Sequence, residues 1–290
     1  MSQAETALEI RRILLALDAS PGSLAALDAA VELAAKIEAE LSGVFVEDEE
    51  LVRMAESPFA RQILYPSATE GTVTRASVER EMKSQSERAR RALEEAAQKA
   101  HVRWSFRTVR GQVTRELANA AGTGDVLAVG RVSWHEARSA HRVGSTAFEL
   151  AASNVPLLLV VRQAPRPTFR VAVYYDGSPS GTRALLTAAQ FARAAAGSAV
   201  VLLAAPDASG EAALRENAEA LLKPTGLAIR YRRIASAGEA SLLDALRAER
   251  PGMLIMASRA PFRKRESLEK LLAEIDTPVL WLSDEFEPAQ

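Results

Sequence analysis

The chain of 290 residues is long enough for two domains of ordinary size, each with its own apolar core. Its 36 Lys and Arg residues nearly balance its 37 Asp and Glu residues, which excludes a general basic field for nucleic acid or a membrane surface. The absence of cysteine excludes disulfides and thiol chemistry. Residues 1–9 lack the apolar core of a signal peptide, and the apolar run at 156–161 is too short to span a bilayer, so we expect a cytoplasmic protein.

The first half alternates strand and helix. Residues 13–17 form a continuous apolar run, which is typical of a parallel strand covered on both faces. Residues 23–40 then repeat apolar side chains at helical spacing. Further strands are predicted at 41–46, 104–109, 126–129 and 157–161. Between the second and third of these five strands we expect a short helix near 49–63, a polar loop and a long charged helix near 78–100.

The second half repeats the first. The strand and turn that end at Asp18, Ser20 and Pro21 return 158 positions later, where Asp176 stands in the place of Asp18. Repetition at a domain-sized period indicates two copies of one fold. The offset falls to 127 at Gly238, so the first half has 31 extra residues between its second and third strands. Strands are expected at 171–175, 199–204, 228–234, 253–256 and 279–282.

This order predicts an α/β protein with two tandem, doubly wound, five-stranded parallel-sheet domains. The domains cover residues 1–163 and 168–290, and two prolines stiffen the linker between them. Sheets of this kind bind ligands beyond the carboxyl ends of their strands. In the first half, two segments occupy such ends. They are residues 18–23 and residues 130–146, and the second opens a helix at Gly144, Ser145 and Thr146, where main-chain N–H groups favour an anion.

These segments give the chain a resemblance to the universal stress protein family, in a tandem two-domain form. The turn at 18–21 resembles the family's signature after the first strand, and Gly130 with Gly144-Ser145 resembles its glycine-rich phosphate loop. The sequence departs from the pattern in two ways. Ser133 replaces the second glycine, and ten residues instead of nine lie between Ser133 and Gly144. The resemblance implies an adenine nucleotide alpha hydrolase-like fold, with the two halves packed as a pseudo-dimer through their fifth strands.

The resemblance also implies a stress-response regulatory protein that binds ATP or a related adenine nucleotide, with magnesium, in the first domain. It implies a homodimer as well. Asp18 would face the ribose or a magnesium ion bound with the phosphates. The implied nucleotide-binding residues are Ala16, Asp18, Ser20, Phe45, Val46, Gly130, Arg131, Ser133, Gly144, Ser145 and Thr146.

The second half departs completely at the corresponding loop. Residues 256–267 contain no glycine, and this connection is five residues shorter than its counterpart. A loop that short, with Pro261 and Phe262 inside it, cannot wrap a triphosphate through main-chain amides. The sequence therefore predicts one nucleotide per chain.

Simpler interpretations stand beside these predictions. Asp18 and Ser20 suit a turn and a helix cap, and Phe45 suits the core. His135 and His141 have no paired nucleophile, so no catalytic residue is predicted and at most slow ATP hydrolysis is expected. The main alternative is a nucleotide-free dimerisation and interaction module of the stress response. An adenylating enzyme is disfavoured because its Ser-Gly-Gly-x-Asp-Ser loop is absent.

Overall fold

The computed structural model describes residues 10–56, 61–64, 69–72, 74–122, 124–131, 145–151, 153, 155–162, 170–235, 239–257 and 265–283. Within these ranges every helix is too short or too polar to cross a lipid bilayer.

The first half forms a parallel sheet with helices on both faces. Ser20 begins the first helix, because its side chain accepts a hydrogen bond from the main-chain nitrogen of Ser23 at 3.1 Å and Pro21 follows in the first helical position. Outside the long connection after its second strand, its elements are β1 (Arg12–Ala16), α1 (Pro21–Ile37), β2 (Glu40–Asp48), β5 (Trp104–Gly111), α4 (Val113–Ala120), β6 (Asp125–Gly130), α5 (Ser145–Ala151) and β7 (Leu157–Val161).

The 31 extra residues of the first half lie between β2 and β5. The whole connection contains α2 (Glu49–Ala55), β3 (Arg61–Leu64), β4 (Thr69–Thr72) and α3 (Arg75–Lys99). Helix α3 has a counterpart in the second half, the helix Ala208–Leu222, so α2 and the two short strands are the added elements. Strands β3 and β4 pair as an antiparallel hairpin. Most of β3 lies at the end of the helix predicted near 49–63, and β4 lies in the predicted polar loop. The two helices were predicted, although α2 ends earlier than expected.

The second half repeats the order of the first. It comprises β8 (Arg170–Tyr175), α6 (Pro179–Ala194), β9 (Ser198–Ala205), α7 (Ala208–Leu222), β10 (Ile229–Ala235), α8 (Glu239–Glu249), β11 (Met253–Ala257), α9 (Arg265–Glu274) and β12 (Val279–Leu282). A single turn of 3-10 helix, Lys223–Thr225, follows α7. The predicted boundary between the domains, at residues 163–168, lies outside the described residues and stays a prediction.

The two halves share one sheet of ten strands. Its order is β10-β9-β8-β11-β12-β7-β6-β1-β2-β5. All neighbours are parallel except β12 and β7, which pair antiparallel with Leu159 opposite Leu280. The predicted fold class and the pseudo-dimer through the fifth strands are therefore confirmed.

Apolar side chains cover both faces of this sheet. One core contains Leu157 and Leu159 of β7 together with Leu280 of β12, while the opposite core contains Leu158 and Trp281. Because period-two alternation along β7 and β12 feeds both cores, each core continues from one half into the other. The junction of the halves is thus as deeply buried as the middle of either domain.

Candidate functional site

The ends of β1, β6 and β2 meet at one edge of the first half. Strand β1 pairs in parallel with β6 on one side and with β2 on the other, so their carboxyl ends are neighbours. Strand order reverses between β1 and β6, which is where open α/β sheets form a crevice for ligands. The structure brings together three predicted residues here: Ala16, Asp18 and Gly130.

Asp18 organises the turn between β1 and α1. Its Oδ1 accepts a hydrogen bond from the main-chain nitrogen of Ser20 at 2.9 Å, and no described residue donates to its Oδ2. In the second half, Oδ1 of Asp176 accepts from the main-chain nitrogen of Ser178 at 3.0 Å. Since both halves build the same turn, this turn is sufficient to explain why both sequences contain the aspartate. The half-buried carboxylate of Asp18 nevertheless remains at the crevice.

Ser20 is buried, and both its side chain and its main-chain oxygen already form hydrogen bonds. Its Oγ accepts from the main-chain nitrogen of Ser23, and its main-chain oxygen accepts from Oγ of Ser23. With 1% of its surface exposed, the side chain of Ser20 is a helix cap and presents nothing to a ligand. The capping interpretation of this residue is the one that the geometry supports.

Phe45 and Val46 point to opposite faces of β2, as neighbours on a strand must. The side chain of Phe45 is 3% exposed and packs in the same core as Leu17 and Leu93. Only its main chain would be available to an adenine base. Val46 is half-buried on the other face, where Ala16 also lies.

Ala16 has a very different counterpart in the second half. The residue two positions before the turn aspartate is Ala16 in β1 and Tyr174 in β8. Ala16 is partly exposed at the crevice, whereas Tyr174 is 3% exposed and buries its ring against the core that contains Trp281. Burial, with a smaller contribution from Asp176, raises the pKa of Tyr174. The two halves thus differ at this position in the size and the exposure of the side chain.

Gly130 ends β6 against the first turn of α1. A Cβ at this position would lie 2.7 Å from the main-chain nitrogen of Ser23 and closer still to Gly22. This contact requires glycine for packing, which is a different reason from the phosphate loop that the family resemblance implied for Gly130.

Arg131 follows Gly130 and turns away from the crevice. It is 4% exposed, and its Nη1 donates to the main-chain oxygens of Leu272 at 2.8 Å and Ala273 at 2.6 Å, both in the second half. Burial, together with the neighbouring charge of Arg162, lowers the pKa of Arg131 to about 10, so the guanidinium stays charged at neutral pH. The side chain that was predicted to bind the nucleotide is therefore committed to the other domain.

The remaining predicted residues lie at or beyond the loop that follows. Ser133 and Gly144 are outside the described residues. Ser145 is the first residue of α5, and the side chain of Thr146 is half-buried. Among the described residues, no cluster of His, Asp and Glu is suited to hold a metal ion.

A separate cavity of about 60 Å³ lies at the opposite edge of the sheet, between α1 and α6. Leu33, Leu159, Phe191 and Met253 line it, among others. It is an apolar gap at the junction of the halves, remote from the carboxyl ends of the strands.

Solved structures share this architecture over nearly its whole length. A universal stress protein from Archaeoglobus fulgidus superposes with a TM-score of 0.72 at 17% identity, covering 96% of this chain and 98% of that one. The chain has the tandem universal stress protein fold. A universal stress protein from Pseudomonas aeruginosa shares the fold with a TM-score of 0.58 at 14% identity, covering 95% of this chain and 94% of that one.

A second Pseudomonas aeruginosa protein, of unknown function, is similar to this chain with a TM-score of 0.58 at 14% identity over 97% of this chain and 95% of its own. At these identities the comparison establishes the fold and leaves the ligand to the residues of this chain. No protein-family model and no curated protein sequence matches the chain.

Proposed function

We propose that the chain is a stress-response regulatory protein that binds one adenine nucleotide, of the ATP type, in its first half. The observation that carries this proposal is the asymmetry between Ala16 and Tyr174. A small, partly exposed side chain stands beside the turn in the half whose following loop has glycines, and a large, buried one stands there in the half whose loop has none.

The described part of the crevice suits such a ligand. Ala16 and Val46 offer a partly exposed apolar surface on one face of the sheet, which fits a planar base. Asp18 places a carboxylate at the same strand ends, and no described residue donates to its Oδ2, which fits a ribose hydroxyl or a magnesium ion held by phosphates. The ion would neutralise phosphate charge at that point. Gly144, Ser145 and Thr146 would bind the phosphates themselves, as the sequence predicts.

The experiment is a calorimetric titration of the full chain with ATP and magnesium, repeated with EDTA. We expect one site per chain, because only the first half combines a small residue, Ala16, before the turn with a glycine-bearing loop after β6. At a ligand concentration of about 100 times the dissociation constant, binding stabilises the folded state by roughly 2.7 kcal/mol. The melting temperature should rise accordingly.

Gly144→Val supplies the matched variant. A side chain at Gly144 should block the approach of phosphate, so the ATP-dependent rise in melting temperature should disappear. The melting temperature without ATP should change little. Two equivalent sites per chain would contradict the expectation of a single site in the first half.

A nucleotide-free interaction module is the second candidate, and it is favoured by the structural roles of Ser20 and Arg131. Ser20 caps a helix and Arg131 joins the halves, so neither side chain requires a nucleotide. Protein purified without added ligand separates the two candidates. Adenine nucleotide released at about one per chain supports binding. If no nucleotide is released and the melting temperature does not change at millimolar nucleotide and magnesium, the interaction module is supported.

A further inference from the structure

The last helix of the second half is attached directly to the start of the first half's phosphate loop. The attachment is made by Arg131, which is the first residue after β6 and the first of the connection leading to α5. Its main-chain nitrogen donates to the main-chain oxygen of Val161 at 2.8 Å, which extends the pairing of β6 with β7 by one residue. The backbone of Arg131 therefore belongs to the sheet while its side chain reaches into the other half.

The partners of this side chain are main-chain oxygens in the last turn of α9. The last four carbonyls of a helix have no partner within the helix, and they form the negative end of its dipole. The main-chain nitrogen of Ile275 satisfies the oxygen of Leu271, and the guanidinium of Arg131 satisfies the next two, those of Leu272 and Ala273. One buried cation thus replaces the water that would otherwise solvate this helix end.

A second arginine from the first half, Arg162, lies beside Arg131 and is more exposed to solvent. Nη1 of Arg162, just after β7, donates to Oδ1 of Asp276 at 2.6 Å and lies 3.5 Å from the oxygen of Ala273. Its side chain is 29% exposed, so water can replace it, whereas Arg131 is buried. Arg162 precedes the linker and does not lead into the phosphate loop.

The second half has a different residue at the position of Arg131. Ser258 occupies the place of Arg131 there, so the second half lacks an arginine at the position from which it could hold the first in return. The half with the degenerate loop supplies the helix end, and the half with the glycine-bearing loop supplies the cation.

We propose that Arg131 is a positioning residue. Through it, α9 of the second half fixes the position at which the nucleotide loop of the first half begins. The inference rests on the proposed nucleotide site and adds a role for the second half: it regulates the affinity of the first. By linkage, nucleotide in the first half and an ordered α9 in the second stabilise each other.

The test uses the full chain with Arg131→Met, the conservative Arg131→Lys and the control Arg162→Met. In hydrogen exchange without ligand, Arg131→Met should speed exchange of peptides from 265–276 by about tenfold, because two buried carbonyls lose their donor. Peptides from α8 serve as the internal reference and should change less than twofold. Unchanged exchange in α9 overturns the proposal.

The binding arm measures the dissociation constant of ATP with magnesium. We expect Arg131→Met to raise it at least tenfold and Arg131→Lys to recover part of the loss, while Arg162→Met stays within threefold of the wild type. ATP should also slow exchange of α9 in the wild type and not in Arg131→Met, which a merely structural role would not produce.

The two arms separate failure of the inference from failure of the proposed function. If the wild type binds ATP and Arg131→Met binds it equally well, the positioning role is overturned while the nucleotide site stands. If the wild type binds no adenine nucleotide, the proposed function and its regulation are both wrong. The hydrogen-exchange measurement still decides whether Arg131 stabilises α9.

Discussion

Single residues distinguish the two halves more sharply than their common fold does. Ala16 and Tyr174 lie near the ends of equivalent strands, each two positions before an aspartate that makes the same turn. At the position after that aspartate the chain adopts positive φ, 58° at Ala19 and 77° at Gly177. The turn is thus preserved as a piece of structure in both halves, while the residue two positions before the aspartate differs in size and exposure.

Ala16→Tyr should convert the first half to the state of the second. The ring would fill the surface where an adenine base is proposed to lie, so the dissociation constant of ATP should rise at least a hundredfold in calorimetry. Tyr174→Phe changes only the second half and should leave the affinity as it is. Full ATP affinity in Ala16→Tyr would show that the base lies elsewhere.

Among the elements, the two halves anchor the start of their first strand in different ways. Arg12 of β1 forms an ion pair with the buried Asp125 of β6. Arg170, in the same place on β8, lies 3.7 Å from the carboxylate of Glu249 at the end of α8. Arg230 and Arg232 of β10 approach the same carboxylate at 3.4 and 3.3 Å, so one buried acid holds two strands to a helix.

Glu249→Gln should lower the free energy of unfolding by about 2 kcal/mol in urea titration, because three arginines then face one another around a neutral side chain. The loss should shrink in 1 M salt, which screens their repulsion. Arg230→Gln is the matched control. That side chain is 66% exposed, and its removal should cost less than about 1 kcal/mol. Equal losses for the two variants would argue against a central role for Glu249.

At the scale of the whole molecule, the ten-stranded sheet ends in β5 on one side and in β10 on the other. Both strands carry arginines, including Arg107 and Arg110 on β5 and Arg232 and Arg233 on β10, and charge on an edge strand opposes pairing with another chain. The apolar strands β7 and β12 pair with each other. The homodimer implied by the family resemblance stays a prediction, and the edges β5 and β10 give it no support.

A fragment of residues 1–163 tests the importance of that internal pairing. Without the second half, β7 becomes an uncovered apolar edge and Arg131 loses the end of α9. We expect the fragment to form dimers or larger assemblies at micromolar concentration, measured by light scattering. The intact chain at the same concentration is the control. A fragment that stays monomeric and melts like the intact chain would contradict the proposed dependence of one half on the other.

Local sequence patterns predicted most of the sheet. Continuous apolar runs such as residues 13–17 are typical of buried parallel strands, and the return of the Asp18 turn at Asp176 indicated two copies of one fold. The hairpin of β3 and β4 was missed because its strands have four residues each and contain Gly71 and several polar residues, which resemble a loop.

The candidate site was less predictable from the sequence than the fold. A strand residue such as Phe45 can be assigned to one face of the sheet only when its neighbours across the sheet are known. In the structure its side chain is buried in the core. The contrast of Ala16 with Tyr174 was present in the repeat alignment and could have been found there. No local pattern indicated the role of Arg131, because its acceptors lie 141 and 142 residues away along the chain.

The sequence by itself determined the fold class, the duplication and the positions of the strand ends, because these depend on periodicity and turn chemistry within a few residues. Tertiary structure alone decided which of the residues near those ends face the crevice and which are buried. It also showed that Arg131 joins the first half to α9. The physical reason is that burial and ion pairing depend on contacts between distant segments, which no short stretch of sequence contains.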